Sequence, residues 1–153
     1  MKLEWMGKHR PLVEAYIKAA NSYARSYRQT VMEIEGVPLS AATVQVLEYI
    51  LENEEEQLPM ARLAQRLGVT RGAFSKTAAV LCEQGLVEKR HPEESGREYI
   101  LTLTEKGRRI YTAYSETVHR ILFQPIFREL DRLSPEQLEA VLKVYQIINA
   151  QET

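Results

Sequence analysis

Between Leu58 and Gly107 the chain has short segments with apolar residues at helical spacing, separated by glycines, and few folds can accommodate this arrangement. One short helical pattern stops at Gly68, and a second runs from Thr70 to Gln84, where Gly85 ends it. Because glycine tolerates positive φ, Gly68 can form a tight turn between the two helices. The stretch therefore predicts two short helices, a hairpin and the start of another helix.

The predicted hairpin spans residues 86–103. Leu86 to Arg90 is extended, residues 91–96 are rich in turn formers, and Arg97 to Leu103 alternates in polarity. Thr104 can then cap the long helix that follows. Two helices joined by a tight turn and followed by a β-wing form a winged helix-turn-helix, a motif that reads duplex DNA.

Charge is distributed unevenly along the chain, although its net value is only −1. Residues 33–56 contain seven acidic side chains and no Lys or Arg, whereas residues 60–110 contain ten Lys or Arg against six Glu. DNA binding requires a basic face rather than a basic protein. The distribution is compatible with such a face, and equally with ordinary mixing of surface charge.

The second helix of the motif, residues 70–84, is predicted to bury Phe74, Ala78 or Thr77, and Leu81. Its outer side is small, with a few donors, which suits close approach to base edges. A purely structural surface helix would more often carry Glu and Lys pairs. The predicted DNA-contacting residues of this helix are Thr70, Arg71, Gly72, Ser75 and Lys76.

Further basic residues lie outside this helix. Lys89, Arg90 and His91 are predicted to contact phosphates, although a solvated strand end fits them nearly as well. Arg62 and Arg66, on the first helix of the motif, are expected near the DNA backbone or simply exposed.

The flanking segments carry apolar stripes at helical spacing. A first helix is expected over residues 11–32, ended by residues 36–38; Ser40 can cap a second helix, and Ser134 begins a capping box. Pro125 predicts a kink in the long fifth helix. The resulting fold is mainly α with a small β-wing: about six helices and a two- to three-stranded wing.

Residues 40–104 are predicted to bind DNA, and residues 1–39 and 105–153 to form a helical dimerisation region. A DNA module of about 65 residues is too small to bury the apolar faces of all the flanking helices. These faces are therefore expected to pack against a second copy of the chain. A dimer also doubles the phosphate contacts and reads a pseudo-palindrome. The alternative is a monomeric six-helix domain that buries its own stripes.

Several other classes of protein are disfavoured. No apolar run approaches 18 residues, and residues 1–10 lack the apolar core of a signal peptide. The single cysteine, Cys82, excludes an internal disulfide framework. These features predict a cytoplasmic protein without a membrane segment.

Enzymatic chemistry is not expected. The sequence has no Gly-rich phosphate loop and no recognisable nucleophile triad, and its three histidines are scattered, so neither a cofactor nor a metal site is predicted. The acidic run 54–56 is interpreted as a solvated helix end or loop. Cys82 follows the inward-facing Leu81 and adjoins Glu83, which disfavours a thiolate, so redox sensing is not expected.

Nearly the whole chain resembles the MarR family of bacterial transcription regulators. The resemblance is carried by residues 63–70 (LAQRLGVT), 85–90 (GLVEKR) and 101–107 (LTLTEKG), the last of these following the wing residue Arg97. It implies a homodimer that binds double-stranded DNA, with the fourth helix in the major groove and Arg97 in the minor groove. One departure is the wing segment 91–96, which lacks the aspartate that pairs with the wing arginine in many relatives; Arg97 could instead pair with Glu93 or Glu94.

The resemblance also implies a ligand cleft between the dimerising helices and the DNA module, often taking phenolic or other small aromatic effectors that release the DNA. Tyr16, Tyr23 and Tyr27 of the first helix are candidates for lining it. A tyrosine stripe at helical spacing is also typical of dimer core. The function predicted is a regulator, expected to be a repressor; the alternative is a winged-helix module that binds proteins.

Overall fold

A computed structural model describes residues 4–91 and 99–150 of the chain. The helices are α1 (Arg10–Ser26), α2 (Ala41–Glu52), α3 (Met60–Leu67), α4 (Arg71–Glu83), α5 (Glu105–Val118), α6 (Gln124–Leu130) and α7 (Pro135–Asn149). The strands form two antiparallel pairs, β1 (Thr30–Ile34) with β2 (Val37–Ser40) and β3 (Val87–Arg90) with β4 (Ile100–Leu103). The expected fold, mainly helical with a small β-wing, is confirmed. The chain divides into two compact units, Met1–Thr112 and Ala113–Thr153.

The predicted end of the first helix is wrong. Helix α1 stops at Ser26, and the following residues form the β1–β2 hairpin. Ile34 pairs with Val37 around a two-residue loop in which Glu35 and Gly36 both have positive φ, +50° and +76°. Two positive φ values are what a type I′ hairpin turn requires. Gly36 therefore reverses a strand instead of ending a helix.

Capping side chains fix the starts of α2 and α7 as the sequence predicts. The Ser40 hydroxyl accepts the Thr43 N–H at 3.2 Å, and the Thr43 hydroxyl accepts the Ser40 N–H at 2.9 Å. Ser134 and Gln137 exchange the same pair of hydrogen bonds at 3.2 and 2.8 Å. Each exchange satisfies two backbone donors that a helix start leaves unpaired.

The first unit contains the apolar core. Its largest fully buried side chains come from β2, α2, α4, the turn before β3, and α5: Leu39, Leu47, Ile50, Phe74, Leu81, Leu86 and Ile110. Burying each such side chain stabilises the fold by about 1.5–3 kcal/mol. This core supports α4 from beneath and leaves its opposite side in solvent.

In the second unit, the break predicted at Pro125 takes the form of a wider helical turn. Residues His119–Phe123 are π-helical, and α6 begins with Pro125 in its first turn. A proline inside an α-helix clashes with the carbonyl four residues earlier, here that of Ile121, and provides no N–H. The π turn changes the spacing at this point, so the chain remains helical on both sides of the proline.

Candidate DNA-binding surface and adjoining cavities

The turn between α3 and α4 sets the direction of the candidate recognition helix. Gly68 ends α3 in the left-handed region with φ of +76°, and the Val69 N–H donates to the Ala64 carbonyl at 3.0 Å. The Thr70 hydroxyl then caps α4 by accepting the Ala73 N–H at 3.1 Å. Thr70 therefore has a structural role at the helix start, and its O–H can still donate outward.

Helix α4 has one buried and one exposed side. Phe74, Ala78 and Leu81 are buried, whereas Thr77 is half-buried. The exposed side contains the predicted contact residues Arg71, Gly72, Ser75 and Lys76, together with Ala79. Among the described residues, the Arg71 and Lys76 side chains form no ion pair. Two cations are thus available to an external anion on a slim helix surface.

The wing strands pair in register from Val87 opposite Leu103 to Arg90 opposite Ile100. Lys89 Nζ lies 5.9 Å from the centre of the Tyr99 ring, over its face, and Arg90 pairs with Glu88 at 2.8 Å. All three charged side chains are exposed, so Lys89 and Arg90 remain accessible to a phosphate.

Of the remaining predicted wing residues, the structure describes only His91. The His91 ring packs on the Tyr99 ring, with centroids 4.2 Å apart. Arg97, Glu93 and Glu94 lie outside the described residues, which end at 91 and resume at 99.

The interpretation of Glu54 as part of a solvated helix end is wrong. Its side chain is only 17% exposed, and its Oε1 accepts the Leu103 N–H of β4 at 2.7 Å. Its Oε2 accepts the Arg108 guanidinium at 2.5 Å. Glu54 therefore joins the end of α2 to the wing and to α5. Sequence reasoning missed this residue because its partners lie 49 and 54 positions away.

Arg66 likewise has internal partners. Its guanidinium donates to the Asn53 side-chain oxygen and pairs with Glu56 at 3.0 Å. Asn53 is itself buried, and its Nδ2 donates to the Tyr49 carbonyl at 2.7 Å. Arg66 thus supports the α2–α3 connection, whereas Arg62 is exposed and donates to Gln65 at 2.9 Å.

The wing meets the start of α5 at Gly107. A Cβ on Gly107 would lie 2.0 Å from the Leu86 carbonyl oxygen. That oxygen accepts the Thr104 N–H at 3.0 Å, while the Thr104 hydroxyl donates to the Gly85 carbonyl at 2.7 Å. Only glycine permits this approach of helix to backbone.

Two neighbouring cavities lie between α1, α2 and the α3–α4 turn. The larger, about 750 Å³, is lined by Tyr23, Ala24, Tyr27, Gln45, Glu48, Tyr49 and residues 67–69. The smaller, about 300 Å³, shares Tyr27 and residues 67–69 and adds Arg28 and the first turns of α4. Of the three candidate tyrosines, Tyr23 and Tyr27 line the larger cavity, and Tyr16 is exposed and lines neither.

Comparison with known proteins finds a family match and relatives of similar length. A family model described as MarR family matches residues 36–98. The HTH-type transcriptional regulator PchR of Bacillus subtilis (strain 168) is 24% identical over 127 residues, which cover 82% of this chain and 73% of that protein. Over residues 36–98 the chain therefore matches the MarR family. It is a transcription regulator rather than an enzyme.

Solved structures share the fold of this chain. Streptococcus pneumoniae FabT, solved in complex with DNA, aligns with a TM-score of 0.67 at 18% identity, covering 95% of this chain and 100% of FabT. Lactococcus lactis ZitR, described as a zinc-responsive MarR family member, aligns with a TM-score of 0.61 at 22% identity, covering 94% and 99%.

Two further properties bear on what this chain can bind. Within residues 4–91 and 99–150, no three His, Cys, Asp or Glu side chains are grouped as a metal site, and no helix is long and apolar enough to span a membrane. Partial burial raises the pKa of the Cys82 thiol, an effect that Lys89 opposes and Glu83 reinforces. The thiol is therefore a poor nucleophile at neutral pH.

Proposed function

We propose that this protein binds a pseudo-palindromic duplex operator as a homodimer and represses transcription until a small aromatic effector releases the DNA. In this proposal α4 enters the major groove, and the wing, with Arg97, lies at the minor groove. The protein would act in the cytoplasm, where bacterial DNA is transcribed. The resemblance to MarR regulators suggested these features; the exposed side of α4, the exposed apolar residues of α7 and the cavities support them, whereas Arg97 lies outside the described residues.

The observation that carries the proposal is the exposed side of α4. Arg71, Ser75 and Lys76 project from the first two turns of α4, where the other exposed position is Gly72; Ala79, Val80 and Glu83 are exposed further along the helix. Arginine can donate two hydrogen bonds to guanine, and serine and lysine can donate to base edges or phosphates. Lys89 and Arg90 on β3 add two exposed cations for phosphates beside the groove.

The homodimer is supported by apolar side chains that a single chain leaves in solvent. In the second unit, none of the described residues of α6 or α7 is buried. The exposed apolar residues of α7 are Leu138, Val141, Leu142, Val144, Tyr145 and Ile147. Exposed apolar patches of this kind mark interaction surfaces, and an isologous contact between two copies would cover both at once.

The effector is supported by two cavities: the smaller adjoins α4, and the larger adjoins residues 67–69 of the turn before α4. The smaller cavity is lined by Thr70, Ala73, Phe74 and Thr77 of the recognition helix or its cap. A ligand seated there would contact the element that reads DNA, so ligand and DNA would favour different positions of α4.

The test is fluorescence anisotropy with a duplex from the region upstream of this protein's own gene, against a scrambled duplex of equal length, at two salt concentrations. Tight binding to the first duplex that weakens steeply with salt supports the proposal, because phosphate contacts release counterions. Binding to a protein partner that is insensitive to salt, with no preference between the duplexes, would favour the alternative of a winged-helix interaction module.

A further inference from the structure

The larger cavity combines aromatic rings with an unneutralised negative charge. Three tyrosines line it: Tyr23 from α1, Tyr27 at the C-terminal cap of α1, and Tyr49 from α2. Glu48 supplies the only charged side chain among the described residues that line it, and Glu48 forms no ion pair within residues 4–91 and 99–150. A ligand bound there would meet aromatic surface and a carboxylate together.

The positions of these side chains follow from helix geometry. Gln45, Glu48 and Tyr49 lie at i, i+3 and i+4 on α2 and therefore share one face. Tyr23 and Tyr27 lie four residues apart at the end of α1, with ring centroids 5.5 Å apart. Helix α2 and the end of α1 thus provide adjacent parts of one binding surface.

Two hydrogen bonds hold polar groups of this surface in place. Gln45 Nε2 donates to the Tyr23 hydroxyl oxygen, and the Tyr111 hydroxyl donates to Glu48 Oε1 at 2.8 Å. Tyr111 is an uncharged donor, so this bond restrains the position of Glu48 Oε1 without pairing it with a cation. Burial is the largest cause that raises the pKa of Tyr23, so this phenol stays neutral at physiological pH.

We propose that the larger cavity binds an organic cation, specifically an aromatic amine or ammonium compound, whose charge faces Glu48 and whose apolar part packs on the tyrosines. Aromatic faces attract cations through their quadrupole, and a nearby carboxylate adds direct attraction. An aromatic acid would instead bring its carboxylate to Glu48. The inference rests on the proposed effector role and names the chemical class of the effector.

The smaller cavity is lined by a positive side chain instead of a negative one, so it favours an anionic ligand. Its only charged lining residue among those described is Arg28, which is exposed. An aromatic acid would therefore be expected to contact Arg28 rather than Glu48. The two cavities make opposite predictions for charge-reversed ligands of the same size.

The experiment is isothermal titration calorimetry on the full chain without DNA, using tryptamine, tryptophol and indole-3-propionate as matched cationic, neutral and anionic probes. We expect tryptamine to bind more tightly than tryptophol by about fivefold, given the modest strength of partly exposed ion pairs and cation–π contacts. Indole-3-propionate should bind more weakly than tryptophol.

Variants locate the site. Glu48→Gln keeps an acceptor for Tyr111 and should abolish the preference for tryptamine over tryptophol. Glu52→Gln is the matched control, one helical turn further along α2 and outside the lining of this cavity, and should preserve it. Tyr23→Leu, at a position already 47% exposed, should weaken all probes without unfolding the chain.

The proposal is overturned if indole-3-propionate binds more tightly than tryptamine, especially if Arg28→Gln removes that binding. It is also overturned if Glu48→Gln and Glu52→Gln have equal effects, or if none of the three probes binds. The anisotropy assay with operator DNA is then run separately with tryptamine. Cation binding that depends on Glu48 but leaves DNA affinity unchanged would uphold the ligand class and contradict the effector role.

Discussion

Replacing Gly107 with alanine places a methyl group where the structure has no space for one. The new Cβ would lie 2.0 Å from the Leu86 carbonyl oxygen and 3.0 Å from its carbonyl carbon. An unstrained contact needs more than 3 Å, so the start of α5 and the base of the wing must separate by at least about 1 Å. That displacement strains the hydrogen bonds that Thr104 makes to the Leu86 and Gly85 carbonyls.

The magnitude follows from these contacts. Overpacking costs about 1–3 kcal/mol, and weakening two hydrogen bonds costs about 0.5–1.5 kcal/mol each. The higher helix propensity of alanine offsets at most about 1 kcal/mol of this destabilisation. We therefore expect the free energy of unfolding of Gly107→Ala to fall by about 2–4 kcal/mol, and its Tm by roughly 5–15 °C.

The assay is thermal and urea denaturation followed by far-UV circular dichroism, at one fixed protein concentration because a dimer's stability depends on concentration. Gly72→Ala is the matched control: it is also a helical glycine, but a Cβ there meets no atom within 4 Å. Its stability should stay unchanged or rise by up to about 1 kcal/mol. If Gly107→Ala is as stable as the parent, the close approach to Leu86 does not constrain this protein.

Three further substitutions test separate contacts. Arg71→Ala should lose about 1–3 kcal/mol of discrimination at one operator position, and an unchanged consensus in a binding-site selection would contradict that contact. Glu54→Ala should destabilise the fold by about 1–3 kcal/mol, since it leaves the N–H of β4 unpaired, whereas the exposed neighbour variant Glu55→Ala should have almost no effect in urea denaturation. The pKa of Glu35 is held below its ordinary value of 4.5 by hydrogen bonding to the Arg109 guanidinium. Ionised Glu35 therefore stabilises the folded state fully above pH 4.5, and this stabilisation is lost as the pH falls through the lowered pKa. The stability difference between the parent and Glu35→Gln should therefore shrink on acidification, and a difference that is constant from pH 7 to pH 3 would refute the assignment.

The elements that the sequence predicts well have local causes. Ser40, Thr70 and Ser134 each cap a helix through an N–H only three residues away, so a short stretch of sequence contains both partners. The turn at Gly68 has the same local character, because the left-handed conformation is a property of one residue. The exposed side of α4 also followed from spacing alone.

The parts that sequence analysis missed depend on distant partners or on competing local preferences. Residues 27–34 continue an apolar spacing compatible with helix, yet the type I′ turn at Glu35 and Gly36 lets them pair with β2 instead. The side chain of Arg109 then holds Glu35 through a contact 74 positions apart in the sequence. Glu54 is a similar case, since no local pattern identifies a carboxylate that accepts a strand N–H.

The contacts at the base of the wing determine which parts of this regulator can move separately. Glu54 bonds to β4 and to α5, and Thr104 and Gly107 fit against the carbonyls of the turn that ends α4. Among the described residues, these bonds join the end of α4, the wing strands β3 and β4, and the start of α5. If the proposed operator binding holds, a signal that shifts the end of α4 would also shift β3, β4 and the start of α5, because the same bonds join them.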